Sequence, residues 1–361
     1  MVEQARIWTL SDHRDPLKEE MKTALKPFTT TENAARMMES ANALVSSSPT
    51  PRHLWAVLLA GGDGIRLRDL TARIVGDHRP KQFCPIIGAK SLLSQTRARL
   101  APLFSGDRQV FVVSCAHERY YSKELADAKD SHVIAQPMNR GTAVGIIVAL
   151  VQVMKADPDA VVGFFPCDHH YSDDESFRSI VRSATSSAEQ FPRSLVIVGA
   201  EAEYAETEYG WIEPGLVVSQ TQAKPLCRVN RFWEKPALPE AQALLQGGCL
   251  WNTFITIGRA ATFLELLCSA VPDVVLSVTR ALADKDLAPA YARLPSVDFS
   301  RDILAHQANR LLVLRDSGSG WADLGSPDRV LGLLAKSVNQ PEWFRQRHSF
   351  SPHVGTLRAV V

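Results

Sequence analysis

Leu54-Trp55-Ala56-Val57-Leu58-Leu59-Ala60-Gly61-Gly62-Asp63-Gly64-Ile65-Arg66-Leu67 is an apolar run that ends abruptly in three glycines within four positions. A short, continuously apolar segment stopped by glycine reads as a strand buried on both faces, the condition of a parallel sheet. Loops that leave the ends of parallel strands are where open α/β sheets bind ligands. Glycines there let backbone N–H groups approach an anion without Cβ in the way. The loop therefore reads as a phosphate loop, with a tight strand-to-helix turn as the other reading of the glycines alone. It is neither of the two best-known phosphate motifs: the dinucleotide fingerprint requires glycine where Leu67 stands, and the P-loop requires Gly-Lys-Ser/Thr where this loop has Gly64-Ile65-Arg66.

Working outward, residues 54–60, 110–114, 161–166, 195–200 and 311–315 read as strands. Residues 91–104, 142–155 and 174–190 read as helices, the last opened by Asp173 as N-cap. This alternation predicts an α/β fold, Rossmann-like, with a mixed, mostly parallel sheet flanked by helices. After about residue 200 the alternation loosens, which predicts an antiparallel or insertion-rich second half on the same sheet. Three segments follow from texture: an extension over 1–51, a main domain over 52–338 and a tail over 339–361. The extension carries apolar residues at helical spacing (Ala35, Met38, Ala41, Val45) and closes on the linker-like Ser46-Ser47-Ser48-Pro49-Thr50-Pro51. The tail offers Trp343, Phe344 and Phe350 for packing onto the domain or between subunits.

With 361 residues, 45% hydrophobic and 22% charged, the chain has material for one large domain or two, which excludes a disordered or fibrous protein. Forty basic against 39 acidic residues leave a formal charge of +1. No bulk positive field is available to gather nucleic acid or anionic membrane, so neither is an expected partner. The apolar run from Val144 to Met154, interrupted by Gln152, falls well short of the roughly 18 residues of a membrane span. The first residues lack the pattern of a secretory signal. Six scattered cysteines (Cys84, Cys115, Cys167, Cys227, Cys249, Cys268) argue against a zinc site or a disulfide framework, and a reducing cytoplasm is expected.

Lys81 follows Arg66 within His78-Arg79-Pro80-Lys81-Gln82-Phe83, so two cations flank one short connection beside the glycines, a pattern suited to polyphosphate. At this point the chain resembles the sugar-nucleotide pyrophosphorylases, specifically the mannose-1-phosphate guanylyltransferases. The resemblance rests on Leu59-Ala60-Gly61-Gly62 through Arg66-Leu67 and on Pro80-Lys81-Gln82-Phe83. It continues through Gln136-Pro137-Met138-Asn139-Arg140-Gly141-Thr142-Ala143, Pro166-Cys167-Asp168-His169 and Tyr209-Gly210-Trp211-Ile212. Phe232-Trp233-Glu234-Lys235-Pro236, Leu250-Trp251-Asn252-Thr253 and Gly320-Trp321-Ala322-Asp323-Leu324-Gly325-Ser326 complete it, in order, across about residues 54–335.

The resemblance implies the nucleotide-diphospho-sugar transferase (GT-A-like) fold for the main domain. It also implies a reaction that joins a hexose 1-phosphate to the α-phosphate of a nucleoside triphosphate with release of pyrophosphate. The nucleophile is a phosphate oxygen already ionised at neutral pH, so no general base is required, and no Ser/His/Asp or Cys/His constellation is evident. What the reaction requires is charge neutralisation and in-line positioning. By resemblance, Arg66 and Lys81 are the catalytic cations. Ala60, Gly61, Gly62, Gly64, Gln136, Arg140 and Thr142 hold the nucleotide, with a helix-capping role as the other reading of Thr142. Gly210, Glu234, Lys235 and Asn252 hold the sugar phosphate, and Asp168 and Asp323 hold Mg2+ as hard oxygen ligands. Outside the resemblance, Asp168 and Asp323 read as turn and cap residues, Trp251 as core, and His169 and His170 as structural. Relatives of this kind often form homodimers, which is the expectation extended to this chain.

Ile65, Asp69-Leu70-Thr71 and a short insertion over 74–78 depart from the family pattern. Gln136 stands at the family's glutamate, the residue type that uridylyl- and thymidylyltransferases set against a pyrimidine edge. The implied product is GDP-mannose, with a uridylyl- or thymidylyltransferase acting on another hexose 1-phosphate as the alternative. From a different class, the departures also suit a catalytically weak nucleotide-sugar sensor or regulatory subunit that uses the extension to meet a partner.

Overall fold

A computed structural model describes residues 53–349, apart from 222–223, 285–286 and 339. The expected helix at 32–45, the Ser/Pro linker and Phe350 lie outside these residues. Strand β1 (Leu54–Leu59) sits inside a nine-stranded sheet of order β3-β2-β1-β4-β9-β6-β10-β8-β7. The other strands are β2 (Gln109–Ser114), β3 (Val133–Gln136), β4 (Val161–Pro166), β6 (Leu195–Glu201), β7 (Gly210–Thr221), β8 (Lys224–Glu234), β9 (Leu250–Arg259) and β10 (Leu311–Asp316). Parallel pairs join β1 to β2 and β4, β2 to β3, and β6 to β10; only β9 and β8 run against the rest. The expected mixed, mostly parallel sheet is present, and the loosened second half is the antiparallel set β7, β8 and β9.

The continuous apolar texture of β1 reflects a strand covered on both faces. Trp55 and Val57 point into one core and Leu54, Ala56 and Leu58 into the other, the two-residue alternation of a pleated strand. Each valine or leucine among them contributes roughly 1.5–3 kcal/mol of burial. Helices α1 (Arg68–Val75) and α2 (Leu92–Leu100) follow β1, and the single turn α3 (Glu118–Tyr121) follows β2. Helix α4 (Thr142–Ala156), buried along almost its whole length, covers the first face. Helix α5 (Asp174–Gln190) joins α2 on the second, with Asp173 accepting from the backbone N–H groups of Glu175 and Ser176 as the expected N-cap. Helices α6 (Leu238–Gln246), α7 (Ala260–Ala270), α8 (Pro272–Ala283) and α9 (Leu287–Arg293) belong to the second half, α7 and α8 packing beside α4. Helix α10 (Pro327–Lys336) and the tail helix α11 (Glu342–Ser349) complete the described chain. Phe344 buries among Leu67, Leu70, Leu324 and Leu334, and Trp343 donates to the Ile86 carbonyl at 3.2 Å, so this part of the tail packs against the domain.

A separate two-stranded sheet matters most for the site. Strand β5 (His169–Tyr171) pairs antiparallel with β11 (Trp321–Asp323), in a register that sets Asp323 opposite His169. All six cysteines carry free thiols. Among the described residues no helix is long and apolar enough to cross a membrane.

Candidate functional site

Three clefts meet above the ends of β1, β3 and β4. The largest, about 650 Å³, is lined by Gly61, Gly62, Gln136, Asn139, Thr142, Gly145 and Asp168 among others. A second, of about 330 Å³, is lined by Asp63, Gly64, Arg66, Lys81, Asn139 and Asp168. The third, about 170 Å³, holds Gly210, Glu234, Asn252, Trp321 and Asp323, and shares His169, Phe254 and Asp298 with the first. Asp168 lines both the first and the second cleft.

The glycine loop is braced from below. Gln82 is buried, and its amide donates to the carbonyls of Ala60 at 2.9 Å and Gly62 at 2.7 Å. Gly64 takes a left-handed φ of 57°, and a Cβ there would lie 3.0 Å from the Lys81 backbone nitrogen, so only glycine lets the Pro80-Lys81 turn close on the loop. Ala60 itself is buried and stands outside the groove: its role is to anchor the loop through Gln82 and through its own N–H to the Val112 carbonyl at 2.8 Å.

Lys81 is the centre of charge. Its ammonium lies 3.2 Å from Asp168, 3.4 Å from Asp323 and 3.0 Å from the Leu324 carbonyl. Burial opposes ionisation of Asp168, but Lys81 and His169 outweigh it and hold the carboxyl below the ordinary aspartate range. Asp323 is anchored from behind by Arg329, whose guanidinium reaches Asp323 at 2.8 Å and Glu206 at 2.8 Å. His169 accepts from the Trp321 indole at 3.2 Å on Nδ1 and turns Nε2 toward both aspartates at 3.8 Å. His170, its neighbour on the strand, points away, and burial pushes its pKa down to about 4.

At the third cleft Gly210 and Glu234 are paired across the β7–β8 hairpin. A Cβ on Gly210 would sit 3.0 Å from the Glu234 carboxylate and 3.2 Å from Asn252, so the glycine is what leaves room. Burial, then the nearby Asp298 charge, push the Glu234 pKa up to about 7. Its folded pKa lies above its unfolded value, so the folded state gains stability at low pH and loses it as pH rises through about 7. Glu234→Gln should therefore melt about 2–4 °C higher relative to wild type at pH 8 than at pH 5, measured by thermal unfolding at both.

Besides Ala60, two expected residues stand elsewhere. Arg140 does not line the groove: its guanidinium donates to the carbonyls of Tyr291 at 2.6 Å and Ala292 at 2.9 Å, tying α9 to the start of α4. Lys235 is exposed past the end of β8 at a left-handed φ of 49° and is absent from the cleft linings. Thr142 does line the groove, but the cap of α4 is Gly141; the Thr142 hydroxyl accepts from the Phe299 N–H at 2.8 Å. Trp251 is core, buried among Tyr209, Trp211 and Trp321.

Residues 55–339 match the nucleotidyl transferase family. The chain belongs to that family. The xanthan biosynthesis protein XanB of Xanthomonas campestris is 31% identical to it over 291 residues, 77% of this chain and 58% of that protein. A mannose-1-phosphate guanylyltransferase of Sinorhizobium fredii is 30% identical over 306 residues, 80% of this chain and 56% of that protein. Among solved structures, a mannose-1-phosphate geranyltransferase from Thermus thermophilus matches with a TM-score of 0.66 at 28% identity, over 76% of each chain. This nucleotidyl transferase thus spans a little over half the length of the curated relatives it matches.

Several groove residues of this nucleotidyl transferase escape a reading of motifs. Asp298 and Ser300 come from the stretch after α9, where Asp298 caps a π-helical turn (Phe299–Ile303) too short to show a period. Phe254 lines both the first and third clefts at a φ of 67°, a left-handed backbone that β9 holds in place and that side chains do not announce. Glu208 pairs with Arg66 at 3.0 Å, bridging the second cleft to the third.

Proposed function

We infer that this chain joins mannose 1-phosphate to GTP, forming GDP-mannose and pyrophosphate. The observation that supports this best is the convergence of Lys81 on Asp168 and Asp323, Asp168 lining the nucleotide-sized cleft that ends at Gln136 and Asp323 lining the smaller cleft of Gly210, Glu234 and Asn252. The naming of relatives as mannose-1-phosphate guanylyltransferases points the same way.

In this reading the glycine loop and Arg66 receive the β- and γ-phosphates, and Gln136 meets the base. Glu234, Asn252 and the Gly210 backbone seat the hexose so that its phosphate faces the α-phosphate. A sugar-phosphate oxygen forms the new P–O bond as the bond to the β-phosphate oxygen breaks and pyrophosphate leaves. No proton must be removed from the nucleophile. Lys81 faces the phosphorus under attack and offsets the charge that gathers there.

The donor set also suits a divalent ion. Among the described residues no cluster of three or more His, Cys, Asp or Glu forms a cage, and magnesium uses one or two carboxylates together with phosphates and water. Asp168 and Asp323 would hold it, and once bound it supplies positive charge to the phosphate oxygens.

The Arg66–Glu208 pair competes with this use of Arg66. Glu208→Gln should lower KM for the nucleoside triphosphate by about twofold to fivefold, since exposed pairs of this kind contribute about 0.2–1 kcal/mol. Initial rates at varied triphosphate check it, and an unchanged KM would show that Arg66 is free of the pair in solution.

The functional reading itself is tested by incubating the protein with magnesium, mannose 1-phosphate and each nucleoside triphosphate in turn, and measuring pyrophosphate. Release with GTP is expected. Preference for UTP or dTTP would select the uridylyl- or thymidylyltransferase reading that Gln136 favours, and no release with any hexose phosphate would overturn transfer altogether.

A further inference from the structure

We propose that Tyr291 is a positioning residue that fixes the Gln136 amide so that the cleft selects bases carrying a ring carbonyl over their amino counterparts. This rests on the reading above, in which Gln136 meets the base.

Tyr291 comes from α9 and its ring is fully buried in the core beneath α4. Its hydroxyl donates to Gln136 Oε1 at 3.2 Å. Burial pushes the phenol well above its ordinary range, so it keeps the proton it donates. Two glycines leave the room that the amide occupies. A Cβ on Gly61 would lie 2.9 Å from Gln136 Nε2, and one on Gly145 would lie 3.2 Å from Oε1. Gly61, Gly145 and Gln136 all line the first cleft. The amide is therefore slotted between two residues without side chains, its oxygen capped by the phenol and its N–H pair on the side of the glycine loop.

The backbone that carries Tyr291 is secured as well. Besides the two Arg140 contacts, the Val297 N–H donates to the Arg140 carbonyl at 3.0 Å and the Ala143 N–H donates to the Val297 carbonyl at 3.1 Å. Arg140 thus acts on the base pocket indirectly, by pinning the segment that pins Gln136. An amide held with its N–H pair toward the base complements the 6-oxo group of guanine or the 4-oxo group of uracil and thymine. It opposes the amino group at the same place in adenine or cytosine. With the phenol removed, the amide can turn and offer its oxygen instead.

The test compares GTP and ATP by equilibrium binding and by kcat/KM with mannose 1-phosphate, in wild type, Tyr291→Phe and Gln136→Met. Wild type should prefer GTP by about a hundredfold. Tyr291→Phe keeps the ring, so it should fold. It should lower that preference about tenfold through nucleotide KM, with KM for the hexose phosphate unchanged. Gln136→Met, which keeps the volume and removes the amide, should lower it at least as far. An unchanged ratio in either folded variant overturns the proposal, as does a fall accompanied by a matching rise in hexose-phosphate KM. If the protein prefers pyrimidines, UTP and CTP replace GTP and ATP with the same expected change. If no pair is turned over, the functional reading fails while the binding ratios still decide the role of Tyr291.

Discussion

Lys81→Met is expected to lower kcat by about a hundredfold to a thousandfold, the scale of losing one fixed charge aimed at the reacting phosphorus. KM for both substrates should move much less, because the glycine loop and the hexose cleft remain. The same substitution leaves Asp168 and Asp323 facing each other without the ammonium that lies 3.2 and 3.4 Å from them. Stability should change with pH in a defined direction. In the wild type the lowered Asp168 pKa contributes stability that is present above the unfolded value of 3.8 and lost as pH falls through the folded one. The variant lacks that contribution, so its deficit should hold from neutral pH down to about 4 and shrink only as pH falls below 3.8. Steady-state kinetics with thermal unfolding at three pH values checks both halves. Wild-type kcat in the variant would remove Lys81 from the chemistry.

Asp323→Asn should reduce turnover by at least about a hundredfold and raise the divalent-ion concentration needed for half-maximal rate by about tenfold or more. Direct titration with manganese, followed by electron paramagnetic resonance, reads the second effect without turnover. Arg329 reaches Asp323 at 2.8 Å and Glu206 at 2.8 Å, so the asparagine can keep a hydrogen bond from the guanidinium and the fold should survive. Retention of wild-type manganese affinity would show that Asp323 serves only to orient Lys81.

The first half of the fold was open to reading because its chemistry is local. An apolar run, a glycine stop and an amphipathic stretch each declare themselves within a few residues, which is why β1, β4, α4 and α5 lie where the periodicity places them. The short strand β3 and the strands β5 and β11 did not announce themselves, since strands of three or four residues carry too few side chains for a period. Lys81, Asp168 and Asp323 were visible because ordered motifs carried them, and they do converge. Arg140 shows the limit of the same approach. A motif fixes where a residue stands on the backbone, whereas the direction of its side chain is decided by whichever carbonyls lie in reach, here those of Tyr291 and Ala292 from a segment with no pattern of its own. Tyr291 was invisible for the corresponding reason: a lone tyrosine on a short helix has nothing in its neighbourhood to connect it with Gln136.

The small sheet formed by β5 and β11 also bears on how the protein is made. Its register sets Asp323 opposite His169, and its two strands are separated by most of the second half of the chain. During synthesis the glycine loop, Lys81 and Asp168 leave the ribosome long before Trp321 to Asp323 do. A nascent chain at that stage holds a lysine with one of its two aspartates, and pairing across so long an interval is slow. The contact between Lys81 and Asp323 therefore waits for the C-terminal part of the chain to be made.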